Sequence, residues 1–193
     1  MPIQIPADLT IVTLRDSGRE LPQRFTEAYA RTLLQRASEL LQARADIAFR
    51  AGTCERVVEE MPAGTRSDVV DDAGYHFLSA AHRAGSGVRV LLVDRVSRPE
   101  LGGESVAQTR VCLVPYGADV GSTSRFLAHE FGHLLGLDHA DAARREGPGQ
   151  ERQAAAWMRN LMNSGALHPD AELTPDQVRQ ARSSDLARRF GGP

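Results

Sequence analysis

The stretch HEFGHLLGLDH, residues 129 to 139, constrains the fold of this chain more than any other. His129 and His133 are four residues apart, so on a helix their imidazoles share one face, about 6 Å apart along the axis. On a straight helix His139 would lie about 9 Å beyond His133 and off that face. Gly136 can end the helix in the left-handed conformation and let the chain return. The spacing therefore predicts a helix, a sharp turn and three histidines around one point.

The residue types in this stretch indicate a metal site. Histidines are typical Zn²⁺ ligands, and three imidazoles leave one tetrahedral position open, as in catalytic zinc sites. Glu130 is rotated by about 100° from His129, which is unfavourable for a ligand but suitable for a general base and acid. The alternative is a buried helix with ordinary histidines. The spaced pattern of histidines, glutamate and glycine matches at five positions, which would coincide by chance with a probability on the order of 10⁻⁵, so a zinc site is favoured. Because zinc activates water and Glu130 can accept its proton, we predict zinc-assisted peptide hydrolysis.

Length and charge exclude several classes of protein. A chain of 193 residues suits a single domain with a substantial core. The net charge of -2 provides no general field for nucleic acid or anionic membranes. No apolar run reaches the ~20 residues of a membrane span, and the N-terminal residues lack the layout of a signal peptide. We expect a soluble monomer without a nucleic-acid partner; its localisation stays open, with export by a non-classical route as one alternative.

Two features of the composition leave alternatives open. Cys54 and Cys112 are either two reduced thiols or one disulfide of an oxidising compartment. All 23 basic residues are arginine. This bias is typical of GC-rich coding sequence and fits a bacterial source. The alternative is an effector that avoids ubiquitin attachment inside a eukaryotic cell.

Periodicity and turn signals predict strands and helices that do not alternate strictly, which favours an α+β class with one sheet. We interpret the whole chain, 1–193, as one catalytic domain. Its N-terminal part, 1–128, leads into the active-site helix, and its smaller C-terminal part is 137–193. The predicted strands are 9–14, 47–60, 87–96 and 105–115, and the predicted helices are 22–45, 67–85, 121–135 and 174–190. Thr174, Pro175 and Gln177 form the pattern of a capping box at the start of the last helix.

The run from His129 to His139 resembles the extended zinc signature of the metzincin metallopeptidases. The stretch NLMNSGA supplies the other half of that signature, a methionine turn at Met162. The run EFGHLLGLDH is similar to matrixins, and LMNSG is similar to adamalysins. Ala140, which follows the third histidine, matches neither branch, so no subfamily is assigned.

The resemblance implies a single metzincin-like zinc-peptidase domain, with a twisted mixed sheet and an antiparallel edge strand over the cleft. An extended peptide substrate would pair with that edge. The stretch 105–115 has the corresponding position in the chain. Met162 would form a structural turn beneath the ligands. The residues expected to contact substrate are Val111, Cys112 and Leu113 on the strand, and Asn163, Ser164 and Gly165 after the methionine.

The sequence thus predicts a zinc metalloendopeptidase that binds extended protein or peptide substrates. Two alternatives stay open: a catalytically silent zinc-dependent binding protein of the same fold, and a hydrolase of a non-peptide amide. An intact Glu130 argues against the silent protein, since binding alone has no use for a base. Because the stretch before the first predicted strand is short, we expect no pro-domain there; latency is left unexplained, and a separate protein inhibitor could supply it.

Overall fold

The computed structural model describes residues 1–63, 65–66, 68–97, 103–140, 158–165 and 167–191. This part of the chain contains six strands and five helices. The strands are β1 (Ile3–Asp16), β2 (Arg19–Glu20), β3 (Ile47–Glu60), β4 (Val88–Val93), β5 (Glu104–Val106) and β6 (Val111–Pro115). The helices are α1 (Glu27–Ala45), α2 (Asp72–Ala81), α3 (Val120–Leu134), α4 (Pro175–Ser183) and α5 (Asp185–Phe190).

The sheet is mixed and has a parallel centre. β1 pairs in parallel with β3 on one side and with β4 on the other, and β4 pairs in parallel with β6. β5 pairs antiparallel with β6, and β2 pairs antiparallel with the end of β1. Parallel neighbours need a crossover, which α1 supplies between β1 and β3. The predicted mixed sheet is present, but mixed α/β describes the fold better than α+β, because the four longest strands run parallel.

Apolar side chains fill both faces of this sheet. On one face, α1 and α3 bury Leu33, Leu41 and Phe131 completely. The Phe131 ring stacks on Phe49 of β3 with 3.8 Å between ring centroids. On the other face, α2 packs Tyr75 against the strands. The two-sided core therefore fixes α3, from which the candidate site projects, against the sheet.

Helix starts are set by side-chain caps and differ from the predicted starts. α1 begins after Thr26, whose hydroxyl accepts a backbone N–H, and not at Pro22. α2 begins after Asp71; the predicted cap, Ser67, lies outside the described residues. α3 is capped by Asp119, whose carboxylate accepts two backbone N–H groups, and not by the hydroxyl residues that follow. A carboxylate at this position also interacts favourably with the positive end of the helix dipole.

The prediction of one edge strand over 105–115 is wrong. The chain turns in the middle of this stretch, where Arg110 adopts a left-handed φ of 54°. It thereby forms the antiparallel pair β5 and β6. β6 lies between β4 and β5, and its Val111, Cys112 and Leu113 are at most 2% exposed. The antiparallel edge strand is therefore β5, and the interior β6 supports it.

The C-terminal end of the chain follows its sequence signals closely. The capping box at the start of α4 is confirmed, with Thr174 and Gln177 bonding reciprocally and Pro175 in the first turn. The predicted single helix over 174–190 is divided in two, because Ser184 leaves the helical conformation and caps α5. Both cysteines are free thiols. Among the described residues, we find no helix with the length and apolarity needed to cross a membrane.

Candidate metal centre

The site is built on α3. His129, on the helix face that packs on the core, is 7% exposed, whereas His133, one turn later, is half-buried. Burial lowers the pKa of His133. A lowered pKa keeps the imidazole neutral, which is the form that binds metals.

The chain leaves the helix by a sharp turn at Gly136, as the sequence predicts. Gly136 has a φ of 82°, in the left-handed region. The N–H of Gly136 bonds the carbonyl of His133 at 2.9 Å, and the N–H of Leu137 bonds the carbonyl of Gly132 at 3.0 Å. These bonds satisfy carbonyls that the end of a helix leaves open. The turn then brings His139 back beside the two histidines of α3.

The three histidines converge on one point. Their Nε2 atoms are 3.0 Å apart for His129 and His133, 3.1 Å for His133 and His139, and 3.2 Å for His129 and His139. They form the one group of metal-ligating side chains with this geometry in the part of the chain that the structure describes. The predicted ligand set is therefore brought together in space.

The protonation of two rings shows that the group fits a cation. The Nδ1 atoms of His129 and His133 contact the carbonyls of Leu161, at 2.7 Å, and of Leu137, at 2.8 Å. A carbonyl only accepts, so each Nδ1 carries the hydrogen and each neutral Nε2 presents a lone pair. Lone pairs this close repel each other unless a cation lies between them. A tetrahedral ion about 2.0–2.1 Å from each nitrogen requires about 3.4 Å between the nitrogens, close to the observed spacing.

A second chain segment, around Met162, packs beneath the histidines. The Leu161 carbonyl holds His129, and the Met162 carbonyl accepts the N–H of Ala140 at 2.8 Å. Met162 is fully buried, and a Cβ at Gly132 would overlap its sulfur. Gly132 therefore allows this segment to approach α3 closely. The contact places Met162 against the ligand-bearing helix, directly after the residue whose carbonyl orients His129.

Asn160 fixes the shape of this segment. The side-chain oxygen of Asn160 accepts the N–H of Met162 at 2.8 Å, and its amide nitrogen donates to Gln177 of α4 at 2.9 Å. Asn160 is 7% exposed, so these bonds satisfy a buried polar group. The capping box of α4 and the segment under the histidines thus share one residue, Gln177.

Glu130 lies in the same cleft as the histidines and is 3% exposed. Burial raises the pKa of Glu130 to about 8, a hydrogen bond from the Ser105 hydroxyl opposes the rise, and the charge of Glu104 adds to it. Gly103, just before β5, lies so close to the helix that a Cβ there would be 2.9 Å from the Cγ of Glu130. The edge strand thereby shields and orients this carboxyl.

The cleft has a volume of about 400 Å³. Its walls include Asn163, Ser164 and Gly165, three of the six residues predicted to contact substrate. The other three, Val111, Cys112 and Leu113, do not line it, because β5 separates β6 from the cleft. Glu104 and Ser105 of the edge strand line the cleft, together with Gly103 just before the strand and Ala107 just after it.

Sequence reasoning missed several residues that shape the site. Ser105 and Gly103 contact Glu130 across the sheet edge, and no short-range pattern connects positions so far apart. Phe126 lines the cleft three residues before His129, where the helical spacing alone could have placed it. Gly132 could have been noticed as a glycine inside a helix, which usually has a packing or functional reason.

Comparison with known proteins bears on the fold. No family model matches the sequence, and no curated protein is similar to it. Among solved structures, an archaemetzincin from Methanopyrus kandleri matches with a TM-score of 0.60 and 12% sequence identity, over 98% of this chain and 97% of that one. At this identity the likeness concerns the fold alone. The chain therefore shares the fold of that archaemetzincin and carries on it three histidines that could hold a metal ion.

Proposed function

We propose that the protein is a zinc-dependent endopeptidase, a hydrolase of the metzincin type. The observation that carries this proposal is the convergence of three imidazole Nε2 atoms, 3.0–3.2 Å apart, in an open cleft beside the buried carboxyl of Glu130. Three neutral nitrogen ligands with a free fourth position are typical of catalytic zinc. The fold shared with an archaemetzincin supports this kind of site.

The residues around the ligands have distinct roles in this proposal. Zinc, when held by the three histidines, supplies Lewis-acid polarisation of a water molecule and of the scissile carbonyl. Glu130 takes the proton of the attacking water at its carboxylate and delivers it to the nitrogen of the leaving amine. Burial raises the pKa of this carboxyl to about 8 in the metal-free protein, and the positive charge of bound zinc would lower it from there toward neutral pH, the range that suits a group that both accepts and returns a proton. The Ser105 hydroxyl orients this carboxyl.

The substrate is an extended protein or peptide in this proposal. β5 pairs only with β6 among the described strands, so its outer edge can add a further antiparallel strand. Asn163, Ser164 and Gly165 wall the pocket for the residue after the scissile bond. Met162 serves as the methionine turn, a support for the ligands and not a ligand itself.

The experiment that tests the function compares the wild type with Glu130→Gln. Glutamine has nearly the same shape as glutamate but cannot take up a proton, so the variant should keep its fold and bind about one zinc per chain. We expect its turnover to fall by about 10²–10⁴, the usual contribution of a general base. Zinc is measured on both proteins, and cleavage of a diverse peptide mixture is followed by mass spectrometry.

The outcomes separate the proposal from its alternatives. Zinc in both proteins and cleavage by the wild type alone would support a peptidase with Glu130 as its base. Equal cleavage by both would remove the role assigned to Glu130. Zinc in both with cleavage by neither would favour a binding protein or a hydrolase of a non-peptide amide.

A further inference from the structure

A second cavity, of about 490 Å³, lies beside the cleft at the N-terminal end of α3. Its walls come from the segments that follow β4 and β6 and from the first two turns of α3. The proposed mechanism makes no use of it. Its larger apolar lining residues are Val69, Val96, Pro115, Tyr116 and Phe126.

The two cavities adjoin along α3, where they share the lining residue Phe126, and together they are called the groove. Ser122 and Phe126 line the second cavity, and Phe126, Glu130 and His133 line the cleft. These positions are four, four and three residues apart, so they form one stripe on the helix surface. Phe126 lies where the two cavities meet.

The topology of the sheet gives the direction in which a peptide would cross this groove. A peptide that pairs antiparallel with β5 runs parallel to β6, because β5 and β6 are themselves antiparallel. β6 leads toward the start of α3, where the second cavity lies. The part of the peptide on the C-terminal side of the scissile bond therefore passes over the second cavity.

Distances along the helix identify which residue of the peptide reaches the cavity. The middle of the stretch 122–126 lies about 10 Å along the axis from the midpoint of His129 and His133. An extended chain advances about 3.3 Å per residue, so about three residues span this distance. Alternate side chains of a strand point to the same side, so the first and third residues after the bond face the same wall.

Four charged residues line the cavity, Arg24, Asp94, Arg95 and Asp119, and their formal charges sum to zero. Arg24 donates to Asp94, with 2.7 Å between Nε and Oδ1 and a second bond from Nη2 to Oδ2 at 3.2 Å. Its guanidinium lies 4.3 Å from the centroid of the Tyr116 ring. Arg24 is thereby held against Asp94 and Tyr116, and most of the remaining lining residues are apolar.

We propose that this cavity binds the side chain of the third residue after the scissile bond and selects a large apolar or aromatic one. The inference rests on the proposed function, since it assigns a specificity site to that peptidase. Burial of one large apolar side chain corresponds to a preference of about tenfold or more over glycine. Binding energy gained this far from the reacting bond can raise the rate of cleavage.

The test uses the zinc-loaded protein and a pair of peptides. Cleavage of a diverse peptide mixture first gives a sequence that is cut once. Two versions are then made, with phenylalanine or glycine as the third residue after the cut. Ala118 is exposed and lines the second cavity, so Ala118→Trp should obstruct it without disturbing the core. Ala80→Trp, at an exposed position of α2 away from the groove, is the matched control.

We expect the wild type and Ala80→Trp to have a kcat/KM at least about tenfold higher for the phenylalanine peptide. In Ala118→Trp this ratio should fall to near one. Cleavage by the wild type without any preference at the third residue, or an unchanged ratio in Ala118→Trp, would overturn this inference alone. No cleavage of any peptide by the wild type would overturn the proposed function, and the specificity site with it.

Discussion

The candidate centre joins two regions that position their histidines in different ways. α3 carries His129 and His133 on a regular helix, where four-residue spacing aligns the rings. His139 lies on an irregular segment that is shaped by the left-handed Gly136 and by backbone bonds between distant parts of the chain. Local geometry is enough for the first region, whereas the second depends on the segment around Met162. The regular helix thus fixes the positions of two histidines relative to each other, and the turn adds the third.

Removal of one ligand from each region should have the largest effect. Structural zinc sites bind with about 10–16 kcal/mol, so the loss of one ligand should weaken zinc binding on the order of 10²–10³-fold. We expect this loss in both His133→Ala and His139→Ala. Only His133→Ala also breaks a bond from the helix to the turn, to the carbonyl of Leu137. The free energy of unfolding of its metal-free form should therefore fall by about 1 kcal/mol more.

Zinc competition with a chromophoric chelator measures the first effect, and urea denaturation of the metal-free variants measures the second. Unchanged zinc affinity in His139→Ala would show that the turn does not bring this histidine to the metal. Equal stability of the two metal-free variants would show that the bond between His133 and Leu137 does not help to hold the turn against the helix.

The second largest effect concerns Glu130, which belongs to the helix region. In the metal-free protein the pKa of this carboxyl is raised from 4.5 to about 8 by burial. Between these values the folded state binds more protons than the unfolded state, so the free energy of unfolding falls as the pH rises. The associated stability is present in full below pH 4.5 and is lost as the pH approaches 8. Between pH 4.5 and 7 the fall should be on the order of 3 kcal/mol.

Urea denaturation of the metal-free protein at several pH values measures this dependence. Glu130→Gln is the matched control, because glutamine does not titrate and every other ionisable group is common to the two proteins. The difference between their stabilities should increase in favour of the variant as the pH rises. A difference that does not change with pH would show that Glu130 ionises freely in the folded protein.

Features that depend on local spacing could be predicted from the sequence, whereas features that depend on contacts between distant residues could not. The spacing of His129 and His133, the helix break at Gly136 and the capping box at Thr174 are local patterns, and the structure contains all three. The turn that separates β5 from β6 has no comparable signal, because its left-handed residue is Arg110 and not a glycine or asparagine. The sequence therefore predicts one strand where the structure has two, β5 and β6.

The contacts that complete the site are equally hidden in the sequence. Every residue has a backbone carbonyl, so nothing in the type of Leu161 indicates that it orients His129. Ser105 reaches Glu130 only because β5 pairs with β6 at the edge of the sheet. Contacts of this kind follow from the assembled sheet, and residue types or spacing do not reveal them.

The smallest predicted effect isolates the turn from the rest of the fold. Gly136 and Gly18 have nearly the same left-handed φ, 82° and 81°, and at both positions an added Cβ would meet nothing within 4 Å. Alanine should therefore lower the free energy of unfolding by about 1–2 kcal/mol at either site, through backbone strain alone. Only Gly136→Ala should weaken zinc binding, by up to about tenfold, because relief of the strain moves His139. Gly18→Ala, in the turn between β1 and β2, is the matched control. Equal zinc affinities in the two variants would mean that the position of His139 does not depend on the turn, and that the two regions are less different than their geometry indicates.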